Sequence, residues 1–277
     1  MATTLYDEPK IDCHCHVLDP AGFAYGADTF YRPSGQEVGT ALQLSQMHDA
    51  YGVRHGLIVG PNSGYEEDNR CLLDAIERGR GRYKGIAVVA NGIGETELLG
   101  LREHGVIGVA FNATHHGVDH YLAAEALLAK LRALDMCVSL QVQHAQLCAL
   151  APLFERAGVR LLIDHCGRPS PDAGLHEPGF QELLRLGRER RAVVKLSGYF
   201  KFSRAPHPHD DVRPHMEALL DAFTPDACVW ASDWPFLRAP RHIDVGPLLT
   251  LLERLVPDAA DRRKVLWETP RRVLGFG

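Results

Sequence analysis

The sequence predicts a (β/α)8 barrel, an α/β fold built as one domain over residues 1–277. Three observations carry this expectation. Eight short apolar or β-branched runs alternate with eight longer helical patterns, and such alternation implies parallel strands joined by helical crossovers. The length of 277 residues suits a closed barrel of about 250 residues. The first run is followed by Leu18, Asp19 and Pro20, not by the Gly-rich phosphate loop that opens a doubly wound sheet.

In chain order, strands are expected at 10–17, 55–60, 83–89, 108–113, 137–142, 160–165, 192–197 and 228–233. Helices are expected at 40–51, 69–78, 96–104, 122–134, 146–157, 180–190, 210–223 and 246–255. Leu127, Leu128, Leu131 and Leu134 have the spacing of a helix with one buried face. Val193, Val194, Lys195 and Leu196 read as a strand buried on most sides. Long irregular loops are expected at 19–39, 167–179 and 199–214. Each follows a strand, so each falls on the face where barrels build their sites.

Composition narrows the function. At 45% hydrophobic and 23% charged the chain has ordinary globular composition. A net charge of -5 argues against nucleic acid or an anionic membrane as partner, since binding phosphate needs a positive field. No run approaches the roughly 18 apolar residues of a membrane span, and the first ten residues do not read as a signal peptide. Seven cysteines, an odd number in a chain large enough to form a core, read as free thiols in a reducing cytoplasm. Assembly into a homo-oligomer is left open.

Fifteen histidines are the most unusual feature. His48, His55, His104, His176, His207, His209, His215 and His242 are expected at the surface. The chemistry is expected at strand ends. In Asp12-Cys13-His14-Cys15-His16, strand alternation puts His14 and His16 on one face with Asp12, and Cys13 and Cys15 on the other as buried thiols. Two imidazoles on one face can hold one divalent ion or two points of a substrate. His165 ends the sixth strand and Asp233 the eighth. The four groups converge only if the barrel closes and brings the first and eighth strands together.

The segments IDCHCH, LLIDHCGRP, VVKLSG and WASDWPF, in this order, resemble the amidohydrolase superfamily, and within it the branch of pyrone-dicarboxylate and sugar lactonases. The resemblance runs from Lys10 to Phe276. It implies a barrel that opens a lactone of a small organic acid, with His14, His16, His165 and Asp233 as the reactive centre. Relatives of this kind work with one divalent ion or with none. The four residues are therefore both the catalytic set and the candidate metal ligands, with zinc the first candidate and manganese the second. Neither the fourth nor the fifth strand carries a Lys to bridge a second ion, and Ala110 stands where relatives often carry Arg.

The expected reaction is attack by an activated water with Asp233 as general base, while His14, His16 and His165 stabilise the carbonyl oxygen directly or through the ion. The alternative is a metal-dependent decarboxylase of an aromatic or unsaturated acid on the same barrel. Lys195, Ser197, Tyr199, Lys201, Arg204, Gln141 and Asn62 are the expected contacts of a small anionic or sugar lactone. His115, His116 and His120 form a second cluster at the same face, read as a loop feature.

Overall fold

The structure, a computed structural model, describes residues 4–277. Eight parallel strands lie side by side in sequence order: β1 (Lys10–Cys15), β2 (Val53–Val59), β3 (Tyr83–Ala87), β4 (Val106–Asn112), β5 (Cys137–Gln141), β6 (Arg160–Ile163), β7 (Val193–Leu196) and β8 (Cys228–Trp230). Between and after them run α1 (Ala41–Ala50), α2 (Arg70–Arg78), α3 (Glu95–Glu103), α4 (Ala113–His116), α5 (Val118–Leu122), α6 (Glu125–Ala133), α7 (Gln146–Ala157), α8 (Pro178–Arg188), α9 (Arg213–Phe223), α10 (Val245–Leu255), α11 (Ala259–Arg263) and α12 (Thr269–Leu274). The eight expected strand–helix units are all present. The short helices α4 and α5 and the C-terminal α11 and α12 are additions.

Local chemistry sets the helix ends. Thr40 accepts from the Gln43 N–H, and the Gln43 side chain accepts the Thr40 N–H at 2.9 Å, a reciprocal cap that starts α1. Gly158, at φ +63°, stops α7 in the left-handed conformation that helix C-termini favour.

The ladder ends one to three residues before every expected strand end. The overrun residues, His16, His165, Ser197 and Asp233 among them, have left the sheet and turn across its C-terminal mouth. A hydropathy pattern reports burial, and these residues stay buried, so the pattern continues after the ladder has stopped.

The barrel closes where β8 meets β1. The Asp233 N–H donates to the His14 carbonyl and the His16 N–H to the Trp234 carbonyl, both at 2.8 Å. Ile11, Cys13, Leu57, Val59, Ile86, Cys137, Leu162, Val229 and Ala231 fill the interior, where Leu274 and Phe276 join them from the end of the chain. The Lys84 ammonium ties that end down by donating to the carbonyls of Leu274 at 2.7 Å and Gly275 at 2.8 Å. The helices cover the outside of the sheet with a second, larger apolar layer.

One expectation about β1 is corrected. Its pairing with β2 is irregular between Asp12 and Cys15, and this breaks the simple alternation. Cys13 joins the interior cluster while Cys15 joins the outer layer. Asp12 does not share the imidazole face. Its carboxylate, 0% exposed, accepts from the Ser232 N–H at 2.9 Å and the Ser232 hydroxyl at 2.5 Å, and faces His48 Nε2 on α1 at 3.3 Å. Asp12 thus bonds β8 to β1 where ladder bonds are missing. Three histidines expected at the surface are buried: His48, His209 and His215.

Candidate active site

The site begins with the backbone. His165, Cys166, Gly167 and Arg168 are four consecutive residues at positive φ, from +46° to +70°, and Asp233 sits at +60°. Non-glycine residues in this region are strained and concentrate at functional sites. The turn swings His165 off the end of β6 and over the barrel axis. Gly198, at φ +63°, is needed where it stands, because a Cβ there would lie 2.6 Å from His165 Nδ1.

These turns bring the four expected residues to one point. Asp233 Oδ1 lies 3.5 Å from His16 Nε2, 3.7 Å from His165 Nε2 and 3.9 Å from His14 Nε2. Asp233 is 0% exposed, and neither carboxylate oxygen accepts a hydrogen bond among the described residues. The Lys201 ammonium approaches Oδ2 at 3.0 Å without the direction of a hydrogen bond. Burial alone would push the Asp233 carboxyl up. The positive fields of His165, Lys201 and His14 outweigh it, and hold the group below the usual carboxylate range. Asp233 is therefore ionised at neutral pH, where Lys201 is the cation beside it.

The imidazoles are held from behind. His16 Nδ1 is 2.7 Å from the Val59 carbonyl, which can only accept, so Nδ1 carries the proton and Nε2 presents a lone pair to the site. His165 Nδ1 is 3.1 Å from Ser197 Oγ. His14 Nδ1 faces Lys195 and Asp164. Burial pushes His14 down to about 4 and His165 well below the ordinary imidazole range.

Burial also lowers His55, His209 and His215. In the unfolded chain these imidazoles take up protons near pH 6.5, while in the folded chain they resist until lower pH. The unfolded state then binds more protons, and stability must fall as pH drops from about 6.5 toward 4. Scanning calorimetry at constant ionic strength should show Tm falling steadily through that window. A Tm that stays level down to pH 4 would mean that the imidazoles are freely hydrated.

Above the quartet opens a cavity of about 510 Å3. Lys201, Gln141 and Asn62 line it as expected, and so do the long loops through Phe30, Arg168 and Phe200. One wall is an amide network closed on itself: Asn112 Nδ2 donates to Asn62 Oδ1 at 3.0 Å, and Gln141 Nε2 to Asn112 Oδ1 at 2.9 Å and Thr114 Oγ1 at 2.6 Å. The other carries cations: Lys201, Arg168 and Arg238.

Four expected substrate contacts do not line the cavity. Lys195, 0% exposed, lies beneath His14 inside the barrel. Ser197 backs His165. Tyr199 is buried in the outer apolar layer, because the chain turns left-handed at Gly198 and reverses the face its side chains present. Arg204 is solvent-exposed and pairs with Asp172. Sequence reasoning passed over Arg168, although it belongs to the His165 turn, and Arg238, which lies in a loop without a pattern. His115 lines the cavity, stacked on Phe30 with ring centroids 3.9 Å apart, and His116 contacts Asn62 at 3.3 Å.

The donor set suits one divalent ion. Among the described residues, His14, His165 and Asp233 offer ligand atoms within 4.8 Å of one another, and the Nε2 lone pair of His16 faces the same carboxylate oxygen. A buried carboxylate oxygen without a hydrogen bond is a vacant donor for a cation. The Lys201 ammonium already supplies part of that charge.

A sequence profile described as Amidohydrolase matches residues 11–276. The 4-sulfomuconolactone hydrolase of Rhizobium radiobacter is 34% identical over 271 residues, covering 95% of this chain and 89% of that protein. The L-fucono-1,5-lactonase of Burkholderia ambifaria is 33% identical, covering 91% of each. A crystal structure of a probable 2-pyrone-4,6-dicarboxylic acid hydrolase from Acinetobacter baumannii, with citric acid bound, superposes with a TM-score of 0.87 at 25% identity, covering 96% of this chain and 99% of that one.

Proposed function

The chain belongs to the amidohydrolase family of hydrolases, whose members are commonly metal-dependent, and from that membership we propose that it opens the ring of a small lactone carrying an anionic group. The observation that carries the reading is Asp233: a buried, ionised carboxylate with no hydrogen bond, facing three imidazoles that line a cavity. The relatives named above, hydrolases of lactones, support it. We take residues 1–277 as one catalytic domain. The seven free thiols favour the cytoplasm as its place of work.

In this reading water sits between Asp233 Oδ1 and His16 Nε2, two acceptors 3.5 Å apart. Water's oxygen bonds to the lactone carbonyl carbon as its proton passes to Asp233. His14 and His165 stand at the same point to stabilise the carbonyl oxygen as it gains charge. When the tetrahedral intermediate collapses, the ring C–O bond breaks and Asp233 returns the proton to the departing oxygen. The product is the open-chain hydroxy acid or its keto tautomer. His14, His16, His165 and Asp233 are the candidate holders of a divalent ion, zinc before manganese. Such an ion would polarise the carbonyl and acidify the water.

The anionic group follows from Arg168. Its guanidinium lines the cavity half-buried, with Nε unpaired, and no carboxylate lies within 4.0 Å of it among the described residues. A half-buried guanidinium with no ion-pair partner in reach is a ready anion site. Arg168→Met should raise KM about 10- to 100-fold with a smaller change in kcat, since a hydrogen bond to a charged group contributes about 1.5–3 kcal/mol. Steady-state kinetics on the best lactone checks this. An unchanged KM would move the anion site elsewhere.

The deciding experiment is a screen of lactones and unsaturated acids with product analysis, on metal-stripped and metal-supplemented protein. Ring opening without loss of carbon is the expected outcome. Release of CO2 from an unsaturated acid would replace hydrolysis by decarboxylation. Activity only after adding Zn2+ or Mn2+ would assign the ion, and full activity in stripped protein would assign the work to the side chains.

A further inference from the structure

His14 has one ring proton to place when neutral, and what surrounds its Nδ1 decides where it goes. The Lys195 ammonium, 3.1 Å from Nδ1, stands where a second ring proton would have to go. Beneath the ring Lys195 is sealed inside the barrel at 0% exposure. Lys195 Nζ lies 2.7 Å from Ser139 Oγ, 2.8 Å from Asp164 Oδ1 and 3.1 Å from His14 Nδ1. Ser139 donates its own hydroxyl to Asp164 Oδ1 at 2.8 Å, so its lone pair is free for the ammonium.

An ammonium has three N–H donors and accepts nothing. Two acceptors stand in hydrogen-bond geometry to this one, Ser139 Oγ and His14 Nδ1, with the Asp164 carboxylate beside it as counter-ion. The opposite tautomer would turn an Nδ1–H toward Asp164 Oδ1 at 3.4 Å. It would also set that N–H against the ammonium and leave one donor of a fully buried cation without a partner. An unsatisfied buried donor costs about 1–3 kcal/mol, and more when charged. The Lys195 donor aimed at His14 is satisfied only when Nδ1 is bare and Nε2 carries the proton.

We propose that Lys195 is a positioning residue of the reaction: it holds His14 as the Nε2–H tautomer, so that His14 meets the lactone as a hydrogen-bond donor to the carbonyl oxygen and not as a ligand of a metal ion. The role assigned to His14 rests on the reading of the site as a lactone hydrolase. It divides the two histidines of β1 and its C-terminal extension. His16 is fixed by the Val59 carbonyl with its Nε2 lone pair toward the site, whereas His14 is fixed by Lys195 with its Nε2–H toward the site. An ion would then draw on His16, His165 and Asp233.

The test is the tautomer itself. The full chain, labelled with 15N at histidine and treated with chelator, is examined by long-range 1H–15N correlation at neutral pH. The His14 signals are identified by their loss in His14→Gln. Nδ1 should fall in the range of an unprotonated ring nitrogen and Nε2 in the protonated range. A protonated Nδ1 in the unmutated protein overturns the proposal. Lys195→Met removes the donor at similar length and should reverse the pattern. If that variant does not fold, the spectrum of the unmutated chain still decides. On a lactone found by the screen, Lys195→Met should lower kcat about 10²–10³-fold, as loss of one oxyanion donor does, with KM within a few-fold. A kcat within a few-fold of the parent would count against the catalytic role even with the tautomer in place. A screen that finds no lactone defeats the functional reading and leaves the tautomer measurement standing.

Discussion

Asp233→Asn is expected to lower kcat by about 10²–10⁴-fold, the range of a lost general base, while the protein stays folded. The substitution keeps the shape of the group and removes its basic oxygen. Asn can still occupy the pocket between His16, His165 and His14, which approach within 3.5–3.9 Å, so packing is conserved. Lys201 loses its counter-ion and becomes free to interact with substrate, so KM can fall even as kcat collapses. Because the carboxyl is held below its usual range, its own protonation should not limit the parent enzyme at any pH above the ordinary carboxylate range. His165→Asn should be damaging as well, and the double variant should lose far less than the product of the two effects, since both act on one transition state. Circular dichroism and calorimetry establish the fold, and single-turnover kinetics separates chemistry from release. A folded Asp233→Asn that turns over its lactone within a few-fold of the parent would place the base elsewhere.

Asp12→Ala is expected to cost about 3–5 kcal/mol of stability, the range for removing one partner of a buried charged network. The carboxylate is fully buried and accepts from Ser232 twice, and from the His14 N–H at 3.2 Å. Its loss leaves those three donors and His48 without an acceptor in a site water cannot reach. Folded domains are stable by only about 5–15 kcal/mol, so one substitution removes a large share. It also loosens the β1–β8 seam that sets His14 and His16 against Asp233, so the remaining folded protein should lose activity too. Urea denaturation should show the midpoint falling with an unchanged slope. A loss below about 1 kcal/mol would mean that the seam is held by the two backbone bonds across it alone.

The units of the barrel were legible because each is a local pattern. A strand buried on both faces reads as a continuous apolar run, and a helix lying on it reads as a 3.6-residue stripe; neither depends on distant residues. The quartet was legible because it sits at the ends of these runs, where a polar residue after apolar ones stands out. What surrounds the quartet was not. The segment 256–277 lies beyond the eight strand–helix units, and it plugs the barrel with Leu274 and Phe276. Tyr199 and Arg204 followed a strand in sequence and were expected at the mouth, yet a left-handed turn at Gly198 sends one into the outer layer and leaves the other in solvent.

By itself the sequence determined the eight strand–helix units and the four residues at strand ends, because hydrophobic periodicity and strand ends are properties of neighbours along the chain. Only the tertiary structure decided what those residues face. An irregularity in β1 turned Asp12 from the imidazoles to Ser232, 220 residues away. Closure placed Lys195 of β7 under His14 of β1, 181 residues apart, with its ammonium against Nδ1. Tautomers, ionisation and cavity walls depend on distance and burial in space, and no spacing along the chain encodes those until the barrel has closed.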